Sequence, residues 1–140
     1  MAVQSGWFWD ITHICATSAS LLTKQFYGVA LSSASAPDGW APVIIGSTGI
    51  GTGAFYGVLQ DTPDVGRPGT VRKLGVTKMV ATSSGSILQG GPVTLNASGQ
   101  AMNADTTGMV VIGRSLQGLT AAASSGTLIA VALSGPYIYG

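Results

Sequence analysis

"GGPVTLNASGQAMNADTTGMVVIGRSLQG", residues 90–118, carries only two ionisable side chains, Asp105 and Arg114. Its apolar residues fall in short runs, Pro92 to Leu95 and Met109 to Ile112, separated by Asn, Ser, Thr and Gly. Runs of that length, bounded by turn formers, read as strands. In "NASGQ", Asn96 and Gly99 offer the side-chain bonding and left-handed backbone freedom that a tight hairpin needs. The stretch therefore predicts a hairpin and a further strand.

Similar runs occur at 26–31, 43–45, 55–59, 71–76, 78–81 and 127–133, with a Gly85 turn in "SSGS". This spacing predicts an antiparallel barrel or sandwich. Only "SLQGLTAAASSG" leaves room for a helical turn or two, near Leu116 to Ala123. The chain also resembles itself: "YGVALSS" matches "GPVTLNA", Gly57 matches Gly113, and Gly69-Thr70 matches Gly126-Thr127. The expected fold is all-β, a compact antiparallel β-barrel or β-sandwich built from a duplicated β-unit, with an extended N-terminal arm. Residues 1–20 form that arm, aromatic and partner-docking, and residues 21–140 form a single β-barrel-like domain.

A chain of 140 residues removes roughly 65 to 70% of its unfolded surface from water, enough to fold without metal or disulfide staples. Glu is absent, and the formal net charge is +1. So small a charge gives no long-range field toward nucleic acid or an anionic membrane, and neither is expected as a partner. Uncharged stretches are interrupted by Gly, Ser, Thr or Pro before the ~20 apolar residues a helical span requires. The N-terminus lacks the basic start and apolar centre of a secretory signal. Cys15 is the single cysteine, so no internal bridge is possible and a reducing cytoplasm suits the chain during folding.

His13 and Cys15 share a strand face, as a metal or a Cys–His nucleophile would require, but no third ligand or orienting acid lies nearby. They are read as structural. Asp61 and Asp64 in "QDTPDVGRPG" are paired carboxylates in a turn-rich loop, where Asp normally bonds its own backbone. "GSTGIGTG" resembles a phosphate loop in its glycines alone, with no Lys and no helix following. Neither catalytic residues nor a metal or cofactor site are expected.

Arg72, Lys73 and Lys78 form the one basic cluster, either a solvated strand face or a contact for an acidic protein surface. In "WFWD", Trp7, Phe8 and Trp9 concentrate aromatic area beside Ile11. They either plug the barrel or anchor the arm on a neighbour, as aromatic hot spots do. The expected partner-interface residues are thus Trp7, Phe8, Trp9, Ile11, Arg72, Lys73 and Lys78.

The succession "FYGVLQDTPDVGRPGTVRKLGVTKMVATSSGSILQGGPVTLNASGQA", "VVIGRSLQ" and "SSGTLIAVAL" resembles the capsid cement, or head decoration, proteins of tailed bacteriophages. "DITHICATSASLLTKQFYGV" is similar to that family's opening, so the resemblance spans residues 10–133. The chain departs from the pattern at Gly91-Pro92, where Gly-Asp is common, and in the aromatic arm before Asp10. The resemblance implies a β-barrel-like protein, made in the host cytoplasm, on the capsid exterior of the virion. It implies a non-enzymatic role without cofactors, bridging subunits of the major capsid protein, commonly as a homotrimer. The rival class is a carbohydrate- or receptor-binding β-module of a spike or fibre. Such modules present exposed aromatic platforms with convergent polar groups, whereas the Trp residues here lie in the arm and at the isolated Trp40.

Overall fold

The computed structural model describes residues 8–15, 21–33, 43–45, 55–83, 85–119 and 126–140. Among these, nine strands run as β1 (Trp9–Ile14), β2 (Gly28–Leu31), β3 (Val43–Ile45), β4 (Gly57–Leu59), β5 (Pro68–Val80), β6 (Pro92–Leu95), β7 (Ala101–Asn103), β8 (Val110–Ser115) and β9 (Leu128–Ile138). They join one antiparallel sheet in the order β3-β2-β4-β5-β9-β8-β6-β7, with β1 also pairing to β5. The sheet curls into a half-barrel, as the all-β reading anticipates.

Two expected strands, 71–76 and 78–81, are a single one. Gly75, inside the first of them, sits at φ 98°, a conformation only glycine adopts without strain, so β5 bends there and its ladder runs on through Thr77 into the second. Before the bend β5 pairs with β4 and β1. After it, Gly75 to Val80 pair with Leu133 to Leu128 of β9. Strand β7 supplies the second arm of the hairpin expected at "NASGQ", although "AMN" is too short to register as an apolar run of its own. The helical turn near Leu116 to Ala123 does not begin within Leu116–Leu119, where Leu119 instead bridges to Ile87. Residues 120–125 lie outside the described residues, as do Trp7, Trp40 and the "GSTGIGTG" loop.

Both halves use the same register. Val29 of β2 faces Ile45 on β3 and Gly57 on β4. Val93 of β6 faces Asn103 on β7 and Gly113 on β8. The two glycines also share a physical reason. A Cβ on Gly57 would lie 2.6 Å from Arg72 O, and one on Gly113 would lie 2.3 Å from Ala132 O. In each half the backbone of the next long strand occupies the space a side chain would need.

Strand alternation divides the apolar residues between two cores. Val58, Met79, Val93, Ile112, Ile129 and Val131 belong to the larger. Cys15, Leu21, Val29, Leu59 and Val71 make the smaller, with Ile45 and Tyr56 packed against it. Strand β4 feeds both, Val58 to one and Leu59 to the other. Each such aliphatic side chain contributes roughly 1.5–3 kcal/mol on burial. The β6–β7 turn is closed by Asn96, whose Oδ1 accepts from the N–H groups of Ser98 and Gln100 at 2.9 Å, with Gly99 at φ 76°.

Candidate interaction surfaces

Strand β1 lies on β5 with Asp10 opposite Arg72 and Ile11 opposite Val71. That register sets an acid and a base side by side. Arg72 Nε donates to Asp10 Oδ1 and Nη2 to Oδ2, both at 2.8 Å, a bidentate fork. Nη1 donates to Val76 O at 2.9 Å. Its hydrogen bonding to the Asp10 carboxylate holds the guanidinium above its ordinary pKa, against the opposing effect of burial. Arg72 Cζ lies 4.7 Å from the Phe8 ring centroid.

One residue on, Lys73 Nζ sits 3.9 Å from the Tyr56 centroid and 5.5 Å from that of Trp9. Cation–π contacts at such distances add about 0.5–1 kcal/mol at exposed sites. The Tyr56 hydroxyl lies 2.6 Å from His13 Nε2, and the two rings meet edge to face at 4.8 Å. Burial pushes the Tyr56 phenol and the Cys15 thiol upward in pKa. Both groups are therefore neutral near pH 7, and Cys15 behaves as a small core hydrophobe.

Of the expected interface residues, Phe8, Trp9, Arg72 and Lys73 thus come together along the β1–β5 pair. Phe8 and Trp9 remain 59% and 54% exposed, so these two do not plug the barrel. Ile11 is partly buried in the same strand. Lys78 follows the Gly75 bend. It borders a shallow groove of about 310 Å³ formed with Phe26, Gln60, Arg72, Val76, Thr77 and Ala130. A second cleft, about 290 Å³, lies where β1 meets the end of β9, between Trp9, Phe55, Tyr56, Lys73, Leu74, Gly135 and Pro136. Sequence reasoning missed Asp10 and Tyr56 as partners of the cations, because only the strand register brings them together.

The turn carboxylates bond backbone: Asp61 Oδ2 accepts from Thr70 N at 2.9 Å and Asp64 Oδ1 from Val65 N at 2.7 Å. Among the described residues no cluster of three His, Cys, Asp or Glu side chains is arranged to hold a metal ion, and no helix is long and apolar enough to cross a membrane. The chemistry on display consists of aromatic, cationic and apolar surface on a one-sheet scaffold, the equipment of an interaction protein.

Comparison with known families specifies which kind. The model of the phage cement protein family matches residues 11–133, and the chain belongs to that family. It is a structural protein of the virion, associated with the capsid. No curated protein matches the sequence. Among solved structures, the head fiber gp8.5 N base of bacteriophage phi29 is similar, with a TM-score of 0.61 over 94% of this chain and 100% of that one. At 17% identity the likeness speaks to the fold.

Proposed function

We propose that the protein decorates the exterior of the assembled head and stabilises it by bridging subunits of the major capsid protein, as a homotrimer and without catalysis. Residues 1–20 serve as a docking arm, and residues 21–140 as the β-body that presents it. The observation that carries this reading is the outward display of Trp9 at the start of β1 and of Phe8 just before it, beside Arg72 and Lys73. Exposed aromatics held rigid are suited to anchoring, because little side-chain freedom is left to lose on contact. The shared registers of β2-β3-β4 and β6-β7-β8 support a duplicated β-unit as the origin of the body.

The aromatic cleft beside Trp9 lends some support to a carbohydrate- or receptor-binding module. Its polar equipment is meagre, however. Lys73 already faces two rings and the Tyr56 hydroxyl is engaged by His13, whereas a sugar site needs several convergent donors and acceptors.

Deleting residues 2–8 tests the arm, since the Asp10–Arg72 pair and β1 remain. The shortened protein is expected to keep its thermal midpoint within a few degrees while losing co-sedimentation with heads or its trimeric mass. Normal decoration and normal mass in the deletion would refute the arm's role.

A further inference from the structure

Strand β9 opens with "LIAVAL", Leu128 to Leu133, apolar at every position. An antiparallel strand with one wet face alternates apolar and polar residues, whereas an apolar run on both parities marks a strand covered on both sides. Ile129, Val131 and Leu133 enter the larger core. Leu128, Ala130 and Ala132 alternate with them on the opposite face, and Leu128 is 43% exposed.

The register lays out the rest of this outer face. Ala132 stands opposite Val76 on β5 and Arg114 on β8, and Ala130 stands opposite Lys78. Leu116 follows β8 and donates its N–H to Ala130 O at 2.8 Å. A strip of alanines is therefore flanked by Val76, 46% exposed, and Leu116, 45% exposed. Lys78 and Arg114 lie exposed on its two sides. Alanines in the centre let a facing surface approach closely. Among the described residues, Asp10 forms its ion pair with Arg72, and neither Lys78 nor Arg114 has a carboxylate partner. Arg114 Nη1 donates to Gly90 O at 3.0 Å, a neutral acceptor that satisfies a hydrogen bond without countering the charge.

We propose that this outer face of β5, β9 and β8 is the seat of the protein on the shell, and that it receives a capsid-subunit surface with an apolar centre and carboxylates at its rim. Charge complementarity selects that occupant, because two cations with no carboxylate partner among the described residues border an apolar strip whose flanks are exposed. The proposal rests on the capsid-binding reading above and extends it from the aromatic arm to the adjoining sheet face, which Arg72 also borders.

The test titrates undecorated phage heads with the wild-type protein, the Lys78→Glu/Arg114→Glu double variant and Ala132→Asp, at low and high salt. Thermal midpoints and sedimentation masses of the free proteins are measured alongside. Wild type is expected to bind, more weakly at high salt. Both variants are expected to lose more than about tenfold in affinity at low salt, with the double variant keeping its midpoint and mass. If Ala132→Asp melts early, the double variant decides alone. Wild-type affinity in a folded double variant overturns the proposal. A lowered mass of the free double variant also overturns it, by assigning the face to a second copy. Failure of the wild type to bind overturns the capsid reading itself, an outcome distinct from wild type and double variant binding alike.

Discussion

Replacing Gly113 by Ala tests the feature on which the half-barrel depends, the close approach of β8 to β9. The new Cβ would meet Ala132 O at 2.3 Å and Leu133 Cα at 3.0 Å. Both are backbone atoms, so no rotamer change relieves the contact. Restoring ordinary van der Waals distance requires the strands to part by about 1 Å in a close-packed interior. That opening falls beside the irregularity between Val111 and Gly113, which already interrupts the β8–β9 ladder. Overpacking of this kind costs about 2 to 3 kcal/mol. For 140 residues the unfolding entropy is about 0.3 kcal/mol per kelvin, so the midpoint is expected to drop by about 7 to 10 °C. Gly135→Ala is the control, because its Cβ would meet nothing within 4 Å and its midpoint is expected to stay within about 2 °C. Differential scanning calorimetry of both variants measures the difference. A Gly113→Ala protein that melts with wild type would show that backbone contact does not set this register.

Asp10→Asn removes the charge from a pair whose side chains are 20% and 24% exposed. A loss of about 1 kcal/mol is expected, seen as roughly fivefold faster hydrogen exchange at the amides of Ile11 to His13 with little change in the β9 amides; uniform acceleration across both strands would contradict a local clamp. Alkaline pH provides another probe, because burial raises the folded-state pKa values of Cys15 and Tyr56 above their ordinary 9.0 and 10.0. The folded state holds these protons more tightly than the unfolded chain, so their contribution is complete below about pH 9 and is lost as pH rises toward the folded values. The midpoint is expected to fall more steeply above pH 9 in wild type than in a Cys15→Ala/Tyr56→Phe variant, and parallel curves would dismiss the linkage.

The hairpins and their turns were legible in the sequence because short apolar runs and Asn–Gly chemistry are local signals. Strands β3 and β6 appear at the predicted residues, and the glycines at 57 and 113 can be matched by eye before their backbone contacts are known. The continuity of β5 was not legible. The two apolar runs part at Thr77 in one dimension, and only the ladder to β9, unbroken from Gly75 to Val80, joins them into one strand. The basic cluster was found, but its division was hidden. Which neighbour each cation meets depends on the cross-strand register, which sets Arg72 on Asp10 and Lys73 over Tyr56 and puts Lys78 across a groove from Arg72. The apolar outer face was written in "LIAVAL", yet a run buried on one side and a run covered on both look alike until the core is located.

Electron cryomicroscopy of heads assembled without the protein and then saturated with it measures the central claim directly. The account predicts saturable binding and added density of this half-barrel on the outer surface of the shell, repeated at equivalent lattice positions and touching the major capsid protein. Heads that remain bare at saturating protein, or density confined to the interior or the tail, would contradict it.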